Sequence, residues 1–159
     1  MSFCTYIFNK IHTRTASNRE ISNALFEMSP SPIAICKIVG REINLVDSNY
    51  AAERIFGYTK EELIGKDIRI IMSPKTAEKS RSGKYKKILM ETSFSKVNIT
   101  CQAKNGTEFP VEVSAKYLSG GFVIFYIKDM TEIKFIKDHL IFLERRIADL
   151  EKEKIHPIE

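Results

Sequence analysis

The chain has 159 residues, a net charge of +5 and 43% hydrophobic residues, which suits one globular domain with a short appendage. This composition excludes a disordered or collagen-like chain, and no apolar run approaches the roughly 18 residues that span a membrane. The start lacks the pattern of a secretory signal, and three cysteines, Cys4, Cys36 and Cys101, show no metal-ligand spacing. We therefore expect a cytoplasmic protein with reduced thiols.

The first segment combines apolar and polar stretches. Apolar residues at 3–11 recur at near-helical spacing and residues 13–19 are polar. Residues 1–20 are therefore predicted to be an N-terminal helical extension with a linker. The short apolar-periodic segment 21–28 precedes a Ser-Pro-Ser-Pro sequence, which ends it because proline cannot continue a helix.

Two β-rich segments, 33–39 and 42–47, come next. Gly40 and Arg41 between them have the length of a two-residue hairpin loop. This pattern predicts a β-hairpin.

Three short helices are then predicted, each with its own start and stop signal. Asn49 is a good N-cap, and Gly57 lies where a glycine ends a helix. Thr59 and Glu62 have the spacing of a capping box, and Asp67 can cap the third helix. So many helix start and stop signals within about 25 residues predict a cluster of short helices.

A basic stretch follows these helices. Residues 76–90 are predicted to form a fourth helix, although Gly83 weakens the pattern. Residues 75–87 contain six lysines and arginines and one acidic residue, Glu78. This charge is either a solvated face or a surface for an anion or an acidic partner.

The next part of the chain has the two-residue period of strands. Apolar and polar residues alternate over 97–102 and 109–116. Asn105-Gly106 between them predicts a type I′ turn. Residues 122–127 are apolar throughout, which is typical of a central strand covered on both faces.

From residue 131 the period changes to that of a coiled coil. Apolar residues are spaced 3, 4, 3, 4 and 3 apart, in the a and d positions of three heptads: Ile133, Ile136, Leu140, Leu143, Ile147 and Leu150. In a parallel dimer the g and e positions would pair Glu132 with Lys137, His139 with Glu144 and Arg146 with Glu151. One helix packing on its own domain explains the stripe but not these charge pairs. The pattern therefore favours a parallel dimer, with these six residues as its interface.

Three motifs resemble those of PAS sensory domains. Residues 49–65 resemble the helical hallmark of that family, residues 104–114 resemble its central hairpin, and Asp129-Met-Thr131 resembles the step that couples the sheet to an outgoing signalling helix. The resemblance implies an α+β fold with a five-stranded antiparallel sheet in the order 2-1-5-4-3 and short helices on one face. It implies a PAS domain over 21–131.

The same resemblance assigns the end of the chain. It implies a coiled-coil signalling helix over 132–154, followed by a tail at 155–159. Asp129 and Thr131 would couple the sheet to that helix. A strand end and a helix N-cap explain the same two residues, and both interpretations can hold together.

The resemblance also bears on cofactors. Light-sensing members of the family carry a photoreactive cysteine where Ile68 stands here, and a glutamine where Ile127 stands. Haem-binding members use a histidine on a long helix, whereas the histidines of this chain lie outside the predicted core, at His12, His139 and His156. The chain has no Trp. We therefore expect neither flavin nor haem, and no other cofactor, although an unidentified small molecule remains open.

An internal pocket is the remaining candidate for ligand binding. The residues predicted to line it are Tyr85, Ile99, Cys101, Val111, Val113 and Tyr126. Such a lining would take an apolar ligand. A filled core without a ligand is the alternative.

The PAS resemblance, together with the heptad pattern of the last helix, implies a sensory and dimerisation module that passes a change in its core to a coiled coil. Its partner would be a second copy or another PAS or coiled-coil protein. No catalytic set, phosphate-binding loop or metal cluster is present, so we expect no enzyme. The alternative is a transcription regulator or a fragment of a sensor kinase or cyclase, with residues 75–87 contacting nucleic acid or an acidic partner. Acidic residues along the last helix argue against nucleic acid there.

Overall fold

The computed structural model describes residues 17–92 and 94–155. Its five strands are β1 (Ile33–Val39), β2 (Glu42–Ser48), β3 (Phe94–Gln102), β4 (Glu108–Tyr117) and β5 (Phe122–Asp129). Its helices are α1 (Asn18–Met28), α2 (Tyr50–Phe56), α3 (Lys60–Leu63), α4 (Pro74–Ser80), α5 (Lys84–Thr92) and α6 (Thr131–Ile155), with 3-10 turns at Ile68–Ile71 and Ser119–Gly121. The strands form one antiparallel sheet in the order β2-β1-β5-β4-β3. The predicted fold class and strand order are therefore confirmed.

The core lies between one face of the sheet and the short helices. We call this face the inner face. Strand alternation sends Cys36, Val111 and Ile127 into the core, where they are at most 2% exposed. Phe56 and Leu63, from α2 and α3, cover them and are equally buried. The inner face is apolar because each strand places alternate residues on it.

Local capping explains the short helices as predicted. The Asn49 side chain accepts a hydrogen bond from the amide of Ala52, and Gly57 ends α2 with φ +72°. Thr59 and Glu62 form the predicted capping box of α3. These helices begin and end where the residue chemistry requires.

The predicted fourth helix is two helices. The Ser73 side chain caps α4 by accepting from the Thr76 amide, and Pro74 occupies its first position. Gly83 adopts φ +73° and separates α4 from α5. A right-handed helix cannot continue through that conformation, so the single helix predicted for 76–90 is wrong.

The turn between β3 and β4 differs from the prediction. It has Lys104 and Asn105 at its centre, with the Gly106 amide donating to the carbonyl of Ala103. Gly106 then takes φ +88°. This is a three-residue hairpin loop rather than the predicted two-residue type I′ turn.

Helix α1 begins inside the predicted linker. A capping box between Ser17 and Glu20 starts it at Asn18. The helix predicted for 3–11 lies outside the described residues.

Candidate functional site

The joint between β5 and α6 is where the sheet meets the outgoing helix. The Asp129 carboxylate accepts hydrogen bonds from the Thr131 amide, at 2.8 Å, and from the Thr131 hydroxyl, at 2.6 Å. The Met130 amide donates to the carbonyl of Pro110 on β4. The carboxylate, rather than the predicted Thr131, therefore caps the helix, and its negative charge suits a helix N-terminus.

Only the start of α6 packs against the sheet. Ile133 is half-buried. A groove of about 340 Å³ lies between this part of α6 and the edge formed by β3 and β4, lined partly by Thr100, Pro110 and Met130. Two residues predicted for an internal pocket, Ile99 and Val111, also border this groove.

The remaining seam residues of α6 are uncovered. Between 42 and 57% of the surface of each is exposed, and they are Ile136, Leu140, Leu143, Ile147 and Leu150. A helical stripe of this length is apolar surface that folding of this chain alone does not bury. The seam is therefore available to a partner helix.

The predicted internal pocket residues lie mostly together on the inner face. Cys101, Val111 and Val113 are buried in the main core cluster, with Ile99 packed against it. Tyr85, on α5, is half-buried. Burial raises the pKa of the Cys101 thiol to about 12, so this thiol is protonated and apolar in character at neutral pH.

Tyr126 lies on the outer face of the sheet, so its prediction as an internal pocket residue is wrong. It pairs with Ile33, whereas the neighbouring pair of Ala34 and Phe125 points to the core. Tyr126 is 44% exposed, and its hydroxyl donates to the Ser31 hydroxyl at 2.7 Å. It belongs to the outer face of the sheet and lines no internal pocket.

The buried Asn49 side chain joins the incoming helix to the sheet. Its Oδ1 accepts from the amides of Ile33, at 2.9 Å, and Ala52, at 3.1 Å. Its Nδ2 donates to the carbonyls of Phe26, at 3.1 Å, and Ser31, at 3.0 Å. Sequence reasoning identified Asn49 only as a helix cap. Its bonds to α1 and to the start of β1 depend on long-range packing that no local pattern reports.

An ion-pair cluster adds a second anchor for α1. The Glu27 carboxylate accepts from the amide of Tyr50 at 3.1 Å and lies 3.5 Å from the Lys60 ammonium. Lys60 also contacts Asp47 at 2.5 Å. The hydrogen bond with Asp47 is the main reason why the pKa of Lys60 is raised, so the lysine stays charged and holds both carboxylates.

The family model for PAS domains matches residues 30–132, well over half of the chain. The chain belongs to the PAS domain family.

Solved structures agree with this fold. The PAS domain of a protein from Colwellia psychrerythraea is 17% identical, with a TM-score of 0.62, over 73% of this chain and 99% of that chain. A domain of a sensory box sensor histidine kinase/response regulator from Geobacter sulfurreducens is 24% identical, with a TM-score of 0.56, over 73% and 100%.

A third relative is the PAS domain, in complex with ethanol, of a LuxR-family transcriptional regulator from Burkholderia thailandensis. It is 17% identical, with a TM-score of 0.58, over 68% of this chain and 96% of that chain. No curated protein matches the sequence at a significant level.

The residues of this PAS domain do not fit a photoreactive flavin site. Ile68, which the sequence resemblance places where light-sensing members carry a reactive cysteine, is buried in the core with 5% of its surface exposed. An alkyl side chain offers no nucleophile for a flavin adduct. His139, the histidine that the described ranges contain, lies exposed on α6, where it cannot reach a cofactor in the core.

No cluster of three or more His, Cys, Asp or Glu side chains in the described part of the chain could hold a metal ion. No helix within 17–92 and 94–155 has the length and apolar character to cross a bilayer.

Proposed function

We propose that this PAS domain is a non-enzymatic sensory module whose output is a parallel coiled-coil dimer formed by α6. The observation that carries the proposal is the exposed a/d seam, which continues directly from a helix start fixed to β5. A seam of this kind is stabilised when a second helix buries it. The partner would be a second copy or another PAS or coiled-coil protein.

The charges beside the seam would set the register of the dimer. In a parallel pair, Glu132 would face Lys137 of the partner helix, and Arg146 would face Glu151. Each exposed pair contributes only about 0.5 kcal/mol. The buried seam would therefore provide most of the stability, and the charges would select the alignment.

The joint at Asp129 and Thr131 would carry the signal. A change in the core that moves β5 would tilt or rotate the start of α6, because the carboxylate binds both the amide and the hydroxyl of Thr131. A ligand or partner would then bias two positions of the helix pair. The inner-face residues Ile99, Cys101, Val111 and Val113, together with Tyr85 of α5, are the proposed ligand contacts, and the ethanol complex of the Burkholderia thailandensis relative supports small molecules as candidates.

The test is to place a charge in the seam. Leu140→Glu puts a carboxylate at a central a position, and Ala148→Glu adds the same charge at a b position outside the seam. Light scattering should give a dimer mass for the wild type and for Ala148→Glu, and a monomer mass for Leu140→Glu. Circular dichroism should show the same sheet in all three. A dimeric Leu140→Glu, or dissociation by both variants, would contradict the proposed interface.

A further inference from the structure

The excess positive charge of the chain is concentrated in one helix pair. We call residues 74–92, which hold α4 and α5, the basic helix pair. It contains six lysines and arginines and two glutamates, so it carries +4 of the net charge of +5. The rest of the chain is close to neutral, and any electrostatic attraction for an acidic partner should therefore centre on this pair.

The structure turns the cations of α4 outward. The Ser73 amide donates to the carbonyl of Thr100 on β3 at 3.1 Å, and the Ser73 hydroxyl donates to Thr76 at 3.1 Å. Ser73 and Thr76 are buried, so this side of α4 faces the core. Lys75 and Lys79, one helical turn apart, are exposed.

The turn at Gly83 brings α5 beside the loop between β1 and β2. The Lys86 ammonium donates to the carbonyl of Gly40, next to the exposed Arg41. Lys87 is also exposed. The basic surface thus continues from α4 to α5 and the neighbouring loop.

The cations of α4 and of Arg81, which follows it, have no ion-pair partner among the described residues. In the described ranges, Lys75, Lys79 and Arg81 have no carboxylate within 4 Å, whereas Lys60 and Lys104 each have one at 2.5 Å. Unpaired like charges repel one another, so they favour the approach of an anionic partner.

We infer that the basic helix pair binds an acidic segment of a partner protein. The groove beside α6 and a second groove between α2 and the β3–β4 loop are lined by other residues and by none of the basic helix pair. Single-stranded nucleic acids bind in charged grooves with exposed aromatic rings, and Tyr85, the aromatic residue of the pair, is half-buried. Lysines act as point charges that pair with scattered carboxylates, which fits an acidic helix or tail.

The inference goes beyond the coiled-coil proposal, because it uses another surface. It has one connection to it: α5 carries the basic charges and also Tyr85, a proposed contact of the internal pocket. A partner bound outside would therefore contact a helix that also packs against β3 and β4.

The experiment compares two variants with equal loss of charge. One is Lys75→Gln/Lys79→Gln/Arg81→Gln in the basic helix pair. The control is Lys66→Gln/Lys116→Gln/Lys128→Gln, which removes three exposed lysines elsewhere. Binding of a fluorescent 20-residue glutamate-rich peptide is measured by anisotropy between 50 and 300 mM salt (about a 2.5-fold change in Debye length), with a 20-nucleotide RNA as competitor.

Binding should weaken with salt, fall about tenfold in the basic-pair variant and change less than twofold in the control. All six positions are exposed, so both variants should keep the wild-type circular dichroism. Equal losses in the two variants, or no peptide binding, would overturn the inference. Tighter binding of the RNA than of the peptide would overturn it in favour of nucleic acid.

Discussion

Replacing Asn49 by alanine should destabilise this PAS domain more than the loss of an ordinary helix cap. The side chain is fully buried and makes four hydrogen bonds. The missing cap of α2 costs about 1 kcal/mol. The amide of Ile33 and the carbonyls of Phe26 and Ser31 also lose their bonds to the side chain, which adds about 2 kcal/mol. We therefore expect a loss of about 3 kcal/mol in the free energy of unfolding.

Thr59→Ala is the matched control, because Thr59 caps α3 at an exposed position. Its expected cost is about 1 kcal/mol. Urea unfolding followed by circular dichroism measures both variants, and an unchanged m-value shows that the same surface unfolds. Hydrogen exchange adds a local readout, since α1 should lose protection in Asn49→Ala only. Equal costs for the two variants, with no change at α1, would refute the role of Asn49 as an anchor.

Three further results are expected. Val111→Phe should cost about 1–3 kcal/mol by urea unfolding, because the larger ring must fit where Val111 is only 1% exposed; a cost well below about 1 kcal/mol would show that the neighbouring side chains leave room for the ring. In a Cys4→Ser background at pH 8, Cys36 and Cys101 of the folded protein should react with a thiol reagent at least 100-fold more slowly than those of the protein unfolded in urea. The reason is that burial raises the pKa of both thiols to about 12. Rapid labelling of the folded protein would contradict this burial. Burial alone would raise the pKa of Asp67, but the hydrogen bonds and charge of Arg69 outweigh it and lower the pKa below 3.8. The stability that this pair adds is present above pH 3.8 and is lost as pH falls through the lowered pKa of Asp67. The difference in free energy of unfolding between wild type and Arg69→Gln should therefore shrink from pH 5 to about pH 2. A difference that stays constant over this range would contradict a lowered pKa of Asp67 in the folded protein.

The sequence allowed the local features of the fold to be predicted because they depend on neighbouring residues. A cap such as Thr59 acts on an amide three residues away, and strand alternation at Val111 and Val113 shows directly which residues face the core. The family motifs then supplied the strand order, which local chemistry does not contain.

Other features depend on contacts between distant parts of the chain. Residues 122–127 are apolar without alternation, so nothing in the strand shows that Tyr126 faces outward; its pairing with Ile33 decides that. The separation of α4 from α5 depends on one backbone angle, the positive φ of Gly83. The role of Asn49 requires α1, β1 and α2 to meet at one point.

The two terminal helices are attached at the same end of the sheet, and this has a mechanical consequence. Helix α1 leads into β1 near Ile33, and α6 follows the end of β5, three residues after Tyr126, the partner of Ile33. Because β1 and β5 are antiparallel, a force that pulls α1 and α6 apart would load their ladder bonds one at a time from this end. The bond from the Ile127 amide to the Pro32 carbonyl would open first, and the two strands would unzip at low force while the β3–β4 hairpin carried little load.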